Sequence, residues 1–269
     1  MTRDLLETLT RRYHAYVDTF RSADGTLLPM SQLKLDHTLQ VVEGAKLIMA
    51  GEAWLESACV VGEACALLHD VGRYSQLKEF GTFQDARSID HAFRGVEVIE
   101  AERLLDGLAE ADRKRVLTSV ALHNKKSVPA TLGSETADLV HLVRDADKLD
   151  IFRVLEAAIA DGSLERNPEI AWDLQVKGAP SPEVVAAVSR GLPVSYAWIK
   201  TLSDFVLIQV GWLNGGMHFR TTLLLAKESQ VLEYREDFLK TLSDDPGVTV
   251  CCDAARRYMR ERLAEPALG

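Results

Sequence analysis

Apolar positions recur along most of this chain at three- and four-residue spacing, the period of an amphipathic helix. Leu5, Leu6, Leu9, Tyr13, Tyr16, Val17 and Phe20 form the first such stripe. Asp24-Gly25 and Pro29 interrupt it. Ser31 is the expected N-cap of a second helix reaching about Ala50, with Val41, Ala45, Ile48 and His37 on one face. A third helix is predicted from about Leu55 and ends at His69-Asp70. Residues 72–90 carry Gly72, Gly81 and many polar side chains, and read as a long connection. Asp90 is placed to cap a fourth helix over about 91–105, in which Gly95 lets another backbone or a ligand approach closely. A fifth helix starts near Glu110 and carries His123 near its end. Beyond Pro129 and Gly133, a sixth begins near Ser134 and runs through Leu139, Val143, Asp147 and Ile151 towards Ala160.

The second half keeps the same period with less regularity. Residues 161–180 are mixed and receive no assignment. Ser181-Pro182-Glu183 starts a helix with proline at its first position, and Gly191 ends it. Helical patterns return over about 196–213 and 217–239, and Asp244-Asp245-Pro246-Gly247 forms a turn. A basic helix with Arg256, Arg257, Arg260 and Arg262 closes the chain, its arginines read as a solvated face. No repeat, low-complexity tract or period-2 alternation is present. The expectation is an all-α protein of one domain, with a core at about 30–160 and a helical extension at about 161–269.

Composition narrows the partners more than the fold. Hydrophobic content of 47% and charged content of 26% are ordinary for a globular chain. A formal net charge of -9 disfavours nucleic acid polymers and acidic membrane surfaces, which are bound by neutralising phosphates with Lys and Arg. A small phosphorylated substrate stays compatible, because a metal cluster supplies local positive charge. The N-terminus leads into an amphipathic pattern, and the apolar run 205–213 is broken by Gln209 and too short to cross a bilayer. Cys59, Cys65, Cys251 and Cys252 make no CxxC pair and read as reduced core thiols, so a cytoplasmic protein is expected.

The chemistry is concentrated at His69-Asp70, two adjacent metal-type ligands at the end of an apolar, alanine-rich run. Burying such a pair is costly unless something pairs with it, and a divalent cation does so through imidazole nitrogen and carboxylate oxygen. His37, His91, His123 and Asp147 likewise fall on predicted helices or at their ends. His14, His141 and His218 have no such companions and read as packing or surface residues.

The order His37, His69-Asp70, Asp147, with LLHDVGR at 67–73 and RDADKLD at 144–150, resembles the HD superfamily of metal-dependent phosphohydrolases. GTFQDARSIDHAFRG at 81–95 and ALHNK at 121–125 resemble the members that add two histidines and hold a binuclear site. The resemblance implies an all-α HD-domain helical bundle with additional C-terminal helices. It implies that His37, His69, Asp70 and Asp147 hold one divalent metal, and that Asp70 bridges to a second held by His91 and His123. Manganese, iron, zinc, magnesium, cobalt and nickel all suit such ligands. The implied activity is hydrolysis of a phosphate ester or anhydride of a small molecule, foremost a nucleotide, by a metal-activated water. Asp70 stands at the chemical centre, and Arg73, Arg144, Lys148, Lys125 and Lys126 are substrate-binding candidates near it, of which Arg73 and Lys148 fit the family neighbourhoods best. The GYP signature of the cyclic-di-GMP phosphodiesterase branch is missing, and no fused module is recognised, so a stand-alone hydrolase is expected. Two other readings share these residues. One is a mixed-valent di-iron oxygenase of the myo-inositol oxygenase-like type; the other is a non-catalytic metal- or nucleotide-binding sensor.

Overall fold

A computed structural model describes residues 1–174 and 177–264. Among them the regular elements are all helical. No described helix is long and apolar enough to cross a membrane. The chain divides into two compact units, Met1–Asp150 and Ile151–Gly269. The step therefore falls inside the long helix that contains Asp147, before the position near residue 160 expected from the sequence.

In the first unit, α1 (Arg3–Asp18) is capped by Thr2, whose hydroxyl accepts from the Leu5 N–H. The second helix, α2 (Pro29–Gly51), starts two residues before the predicted Ser31 cap. Pro29 does not break the chain there. It opens the helix, where its missing N–H costs nothing and its fixed φ is already helical. Ser31 is inside the helix and buried. Next come α3 (Glu56–Leu68), α5 (His91–Ala101), α6 (Glu110–Leu122) and α7 (Ser134–Ala160), all close to their predicted spans. Asp90 caps α5 as expected, its carboxylate accepting from the Ala92 and Phe93 N–H groups at 3.1 and 3.3 Å.

The predicted long connection is wrong over its first half: Gly72–Phe80 forms helix α4. Its apolar stripe is hard to see because one wholly buried position is polar, Gln76. Gly72 lets α4 begin directly against α5. A Cβ there would lie 2.4 Å from the His91 carbonyl oxygen and 2.5 Å from the Gly95 nitrogen. That backbone contact is the close approach Gly95 was expected to allow, and it ties α4 to the helix that starts at His91. Gly81 then ends α4 in the left-handed conformation at φ 69°. The core of this unit joins Leu9, Tyr13 and Val17 of α1 to Ala64, Cys65 and Leu68 of α3, Ile99, Val116, Val120 and Val143. All four cysteines are free.

In the second unit, the unassigned stretch contains α8 (Ser163–Arg166) and a 3-10 turn at Pro168–Ala171. Then follow α9 (Pro182–Val188), a 3-10 turn at Tyr196–Trp198, and α10 (Leu202–Gly211), opened by a Thr201–Asp204 capping box. The single pattern predicted over 217–239 is two helices, α11 (Arg220–Glu228) and α12 (Val231–Leu242), split where Gln230 takes φ 53°. Pro246-Gly247, expected in a turn, are the first residues of α13 (Pro246–Ala264), and its Arg256 pairs with Asp253 and with Glu236 of α12.

Candidate metal centre

Two helices of the first unit end the same way. His69 follows the last residue of α3 and His123 follows the last residue of α6. The final turn of a helix leaves carbonyls without helical partners. His69 Nδ1 donates to Ala66 O at 2.7 Å, and His123 Nδ1 donates to Val120 O at 2.7 Å. A carbonyl only accepts, so the proton of each neutral ring sits on Nδ1 and the lone pair on Nε2. The other two rings are held by carboxylates. His37, midway along α2, has Nδ1 2.6 Å from Asp150 Oδ2. His91, the first residue of α5, has Nδ1 2.6 Å from Asp85 Oδ2.

All four Nε2 atoms turn inward, in pairs. His37 and His69 bring theirs to 3.4 Å, and His91 and His123 to 3.1 Å. Asp70 stands between the pairs. Its Oδ2 is 3.7 Å from His37 Nε2 and 3.6 Å from His69 Nε2. Its Oδ1 is 3.4 Å from His91 Nε2 and 3.7 Å from His123 Nε2. Asp147 joins the first pair, its Oδ1 3.1 Å from His37 Nε2 and 4.0 Å from His69 Nε2. Thus His37, His69 and Asp70 form one group and Asp70, His91 and His123 another, Asp147 flanks the first, and the four histidines and Asp70 are buried.

Charge decides what such a centre can hold. Burial pushes His69 and His91 down to about 4, so both rings are neutral at physiological pH and their Nε2 lone pairs face other acceptors. Burial and Lys34 also push His37 down, but Asp147 and Asp150 outweigh them and the ring is raised. Asp70 is held well below the usual carboxylate range; burial opposes this, and Lys34, His69 and Arg73 overcome it. Asp147 is likewise depressed, against burial, chiefly by His37. Lone pairs and carboxylates aimed at one another from fixed rings suit a divalent cation with nitrogen and oxygen ligands, and the outer contacts that fix those rings are the usual support of such ligands.

Four supporting residues escaped the motif reading. Lys34 places Nζ 2.7 Å from Asp70 Oδ2. Asp150 and Asp85 orient His37 and His91. Gln76 donates to Asp85 Oδ1 at 3.0 Å, Ser88 Oγ at 2.8 Å and Ile89 O at 3.0 Å, and so holds the segment that carries Asp85. Helical spacing offered one signal: Lys34 precedes His37 by three residues on α2, as Asp147 precedes Asp150 on α7. Asp85 had only its place inside the 81–95 segment.

Of the two cations singled out, Arg73 lies at the centre, with Nε 3.4 Å from Asp70 Oδ1. Its NH1 is turned to Gln76 Oε1 at 2.9 Å, Phe83 O at 2.5 Å and Asp85 Oδ1 at 3.0 Å. Lys148 sits 3.9 Å from Asp145, and burial lowers its ammonium to about 8. Arg144, a further candidate, is engaged elsewhere. It donates to the carbonyls of His123 and Lys125 and so fastens the end of α6 to α7. Lys125 pairs with Asp90. His14, His141 and His218 take no part in either group.

No curated protein and no solved structure matches the chain. A family model does: that of the HD domain, over residues 35–151, a span that contains His37, His69, Asp70, His91, His123 and Asp147. Residues 35–151 are therefore similar to an HD domain, and HD domains bind divalent metals and are generally metal-dependent hydrolases.

Proposed function

We propose that this protein is a metal-dependent phosphohydrolase that cleaves a phosphate ester or anhydride of a small molecule, with nucleotides as the first class to test. The observation that carries the reading is the division of Asp70 between two histidine pairs, one for each carboxylate oxygen. His37, His69, Asp70 and Asp147 would hold one divalent ion, and Asp70, His91 and His123 a second. Bound there, such ions supply a water of lowered pKa and positive charge for the phosphoryl oxygens. Manganese, iron, zinc, magnesium, cobalt and nickel all fit the donors.

The chain's own residues do the rest. Nδ1 contacts to Ala66 O, Val120 O, Asp150 and Asp85 fix each ring before substrate arrives, so no reorganisation is needed during reaction. Asp70 ties the two halves into one unit. Lys34 and Arg73 set positive charge on either side of it. Lys148, next to the last ligand, is the further cation assigned to substrate. The net charge of -9 argues for a small substrate rather than a nucleic acid polymer or an acidic membrane, and the four free thiols suit a reducing cytoplasm.

The test is a hydrolysis screen over nucleotides, dinucleotides and sugar phosphates with each metal in turn. Metal-dependent phosphate release, lost in Asp70→Ala, is expected. Oxygen-dependent turnover by the iron-loaded protein would assign the centre to an oxygenase instead. Binding of nucleotides without turnover under any metal would make it a sensor.

A further inference from the structure

Lys34 lies outside the span matched by the family model, yet its ammonium touches the residue at the heart of the centre. It stands 2.7 Å from Asp70 Oδ2, the oxygen turned to His37 and His69, and 5.6 Å from the centroid of the Phe83 ring. An ammonium has three N–H donors and no acceptor. Among the described residues its hydrogen-bonded partner is Asp70. Donors therefore remain for an oxygen-rich group arriving at the same point. Arg73, on the other side of Asp70, is committed differently. Its NH1 faces Phe83 O and Asp85, contacts that hold the segment before α5 in place, and Gln76 of its own helix, while its Nε lies 3.4 Å from Asp70 Oδ1.

We propose that Lys34 is the phosphate-positioning cation of this centre, and that Arg73 acts as a pin for the segment carrying Asp85. The inference rests on the phosphohydrolase reading. Its physical content is a pair of opposite effects. An ammonium beside Asp70 and a divalent cation held by the same carboxylate would repel each other. A phosphoryl oxygen between them removes that repulsion and accepts a charge-assisted hydrogen bond from Lys34. Lys34 therefore weakens metal binding and strengthens phosphate binding. A residue that merely braced Asp70 would strengthen metal binding.

The experiment titrates metal-stripped wild type, Lys34→Gln, Lys34→Arg and Arg73→Gln with Mn, and then titrates the Mn-loaded proteins with inorganic phosphate, both by calorimetry. Lys34→Gln should bind Mn at least as tightly as wild type and phosphate about 10- to 100-fold more weakly, the range of a lost charged hydrogen bond. Lys34→Arg should recover phosphate binding, and Arg73→Gln should lose Mn affinity. Weaker Mn binding by Lys34→Gln, or phosphate binding equal to wild type, overturns the inference; so does a wild type that binds no phosphate. Phosphate binding that depends on Lys34 in a protein that hydrolyses no ester would leave the assignment standing and remove the hydrolase reading. Hydrolysis by wild type that Lys34→Gln does not impair would do the reverse.

Discussion

Arg235 in the second unit and the histidine centre in the first are both buried and both polar, yet only one is closed by the chain itself. The Arg235 guanidinium is wholly buried and donates to Gln209 Oε1 at 2.9 Å, Glu156 Oε1 at 3.0 Å and Phe152 O at 2.8 Å. Donors meet acceptors, and a carboxylate balances the cation. In the first unit the inward Nε2 atoms stand 3.1 and 3.4 Å apart with Asp70 between the pairs, and those of His69 and His91 are lone pairs. In the first arrangement the cation's own neighbours, a carboxylate, an amide oxygen and a carbonyl, meet its donors. The second spends its outer hydrogen bonds on rigidity and leaves its inner lone pairs for a cation.

Several substitutions sharpen this contrast. The largest effect is expected for Asp70→Ala, which removes the carboxylate common to both groups. Metal-dependent hydrolysis should fall by well over about 100-fold, roughly 2.7 kcal/mol in barrier, and by more than for any single histidine change. Steady-state rates for the Ala series at His37, His69, Asp70, His91 and His123 give the ranking directly.

Arg235→Met should act on stability alone. Leaving Glu156 and Gln209 without their cation costs about 3 kcal/mol, the lower range for breaking a buried ion pair and less than full because Glu156 keeps some exposure. Urea unfolding with and without chelator should give the same loss, because the Arg235 cluster contains no metal.

Chelation is the complementary test. Metal at about 100 times its dissociation constant should stabilise the folded wild type by about 2.7 kcal/mol, and thermal melts should show no such gain for Asp70→Ala. Asp85→Asn is expected to be milder. It keeps the shape but weakens the hold on His91 Nδ1, so affinity for one ion should drop by about 10- to 100-fold while the other is retained. Equilibrium dialysis against two Mn concentrations separates the two sites.

The smallest effect concerns protons. His69 and His91, pushed down to about 4 from an ordinary 6.5, remain neutral at pH 6 in metal-free protein. The unfolded chain binds protons there that these rings refuse, so their contribution to stability is full above about 6.5 and is lost as pH falls towards 4. His37, which is raised, acts in the opposite sense. Long-range nitrogen–proton NMR at pH 6 should show the Nδ1–H tautomer for His69 and His91. Imidazolium signals there would remove the premise that these two rings turn lone pairs inward.

The fold class was legible because helical periodicity extends over most of the chain, and the six histidines and aspartates were legible because each stands at a fixed place on a helix or its end. What stayed hidden lay in residues whose role depends on contacts made across the fold. Gln76 is buried and polar, which broke the apolar pattern of α4 and made a helix look like loop. Pro29 was read as a breaker where it starts a helix. Arg73 was assigned from its motif neighbourhood, and only its contacts show it bound into the 82–90 segment. Lys34 belongs to no motif and is found only through its distance to Asp70.

Metal content measures most directly whether this centre holds a cation. Wild type, Asp70→Ala and His91→Ala are to be reconstituted with Mn or Fe, freed of excess ion and analysed by elemental mass spectrometry. About two ions per chain in wild type, about one in His91→Ala and almost none in Asp70→Ala are predicted. A folded wild type that retains no divalent ion of any kind would contradict the account.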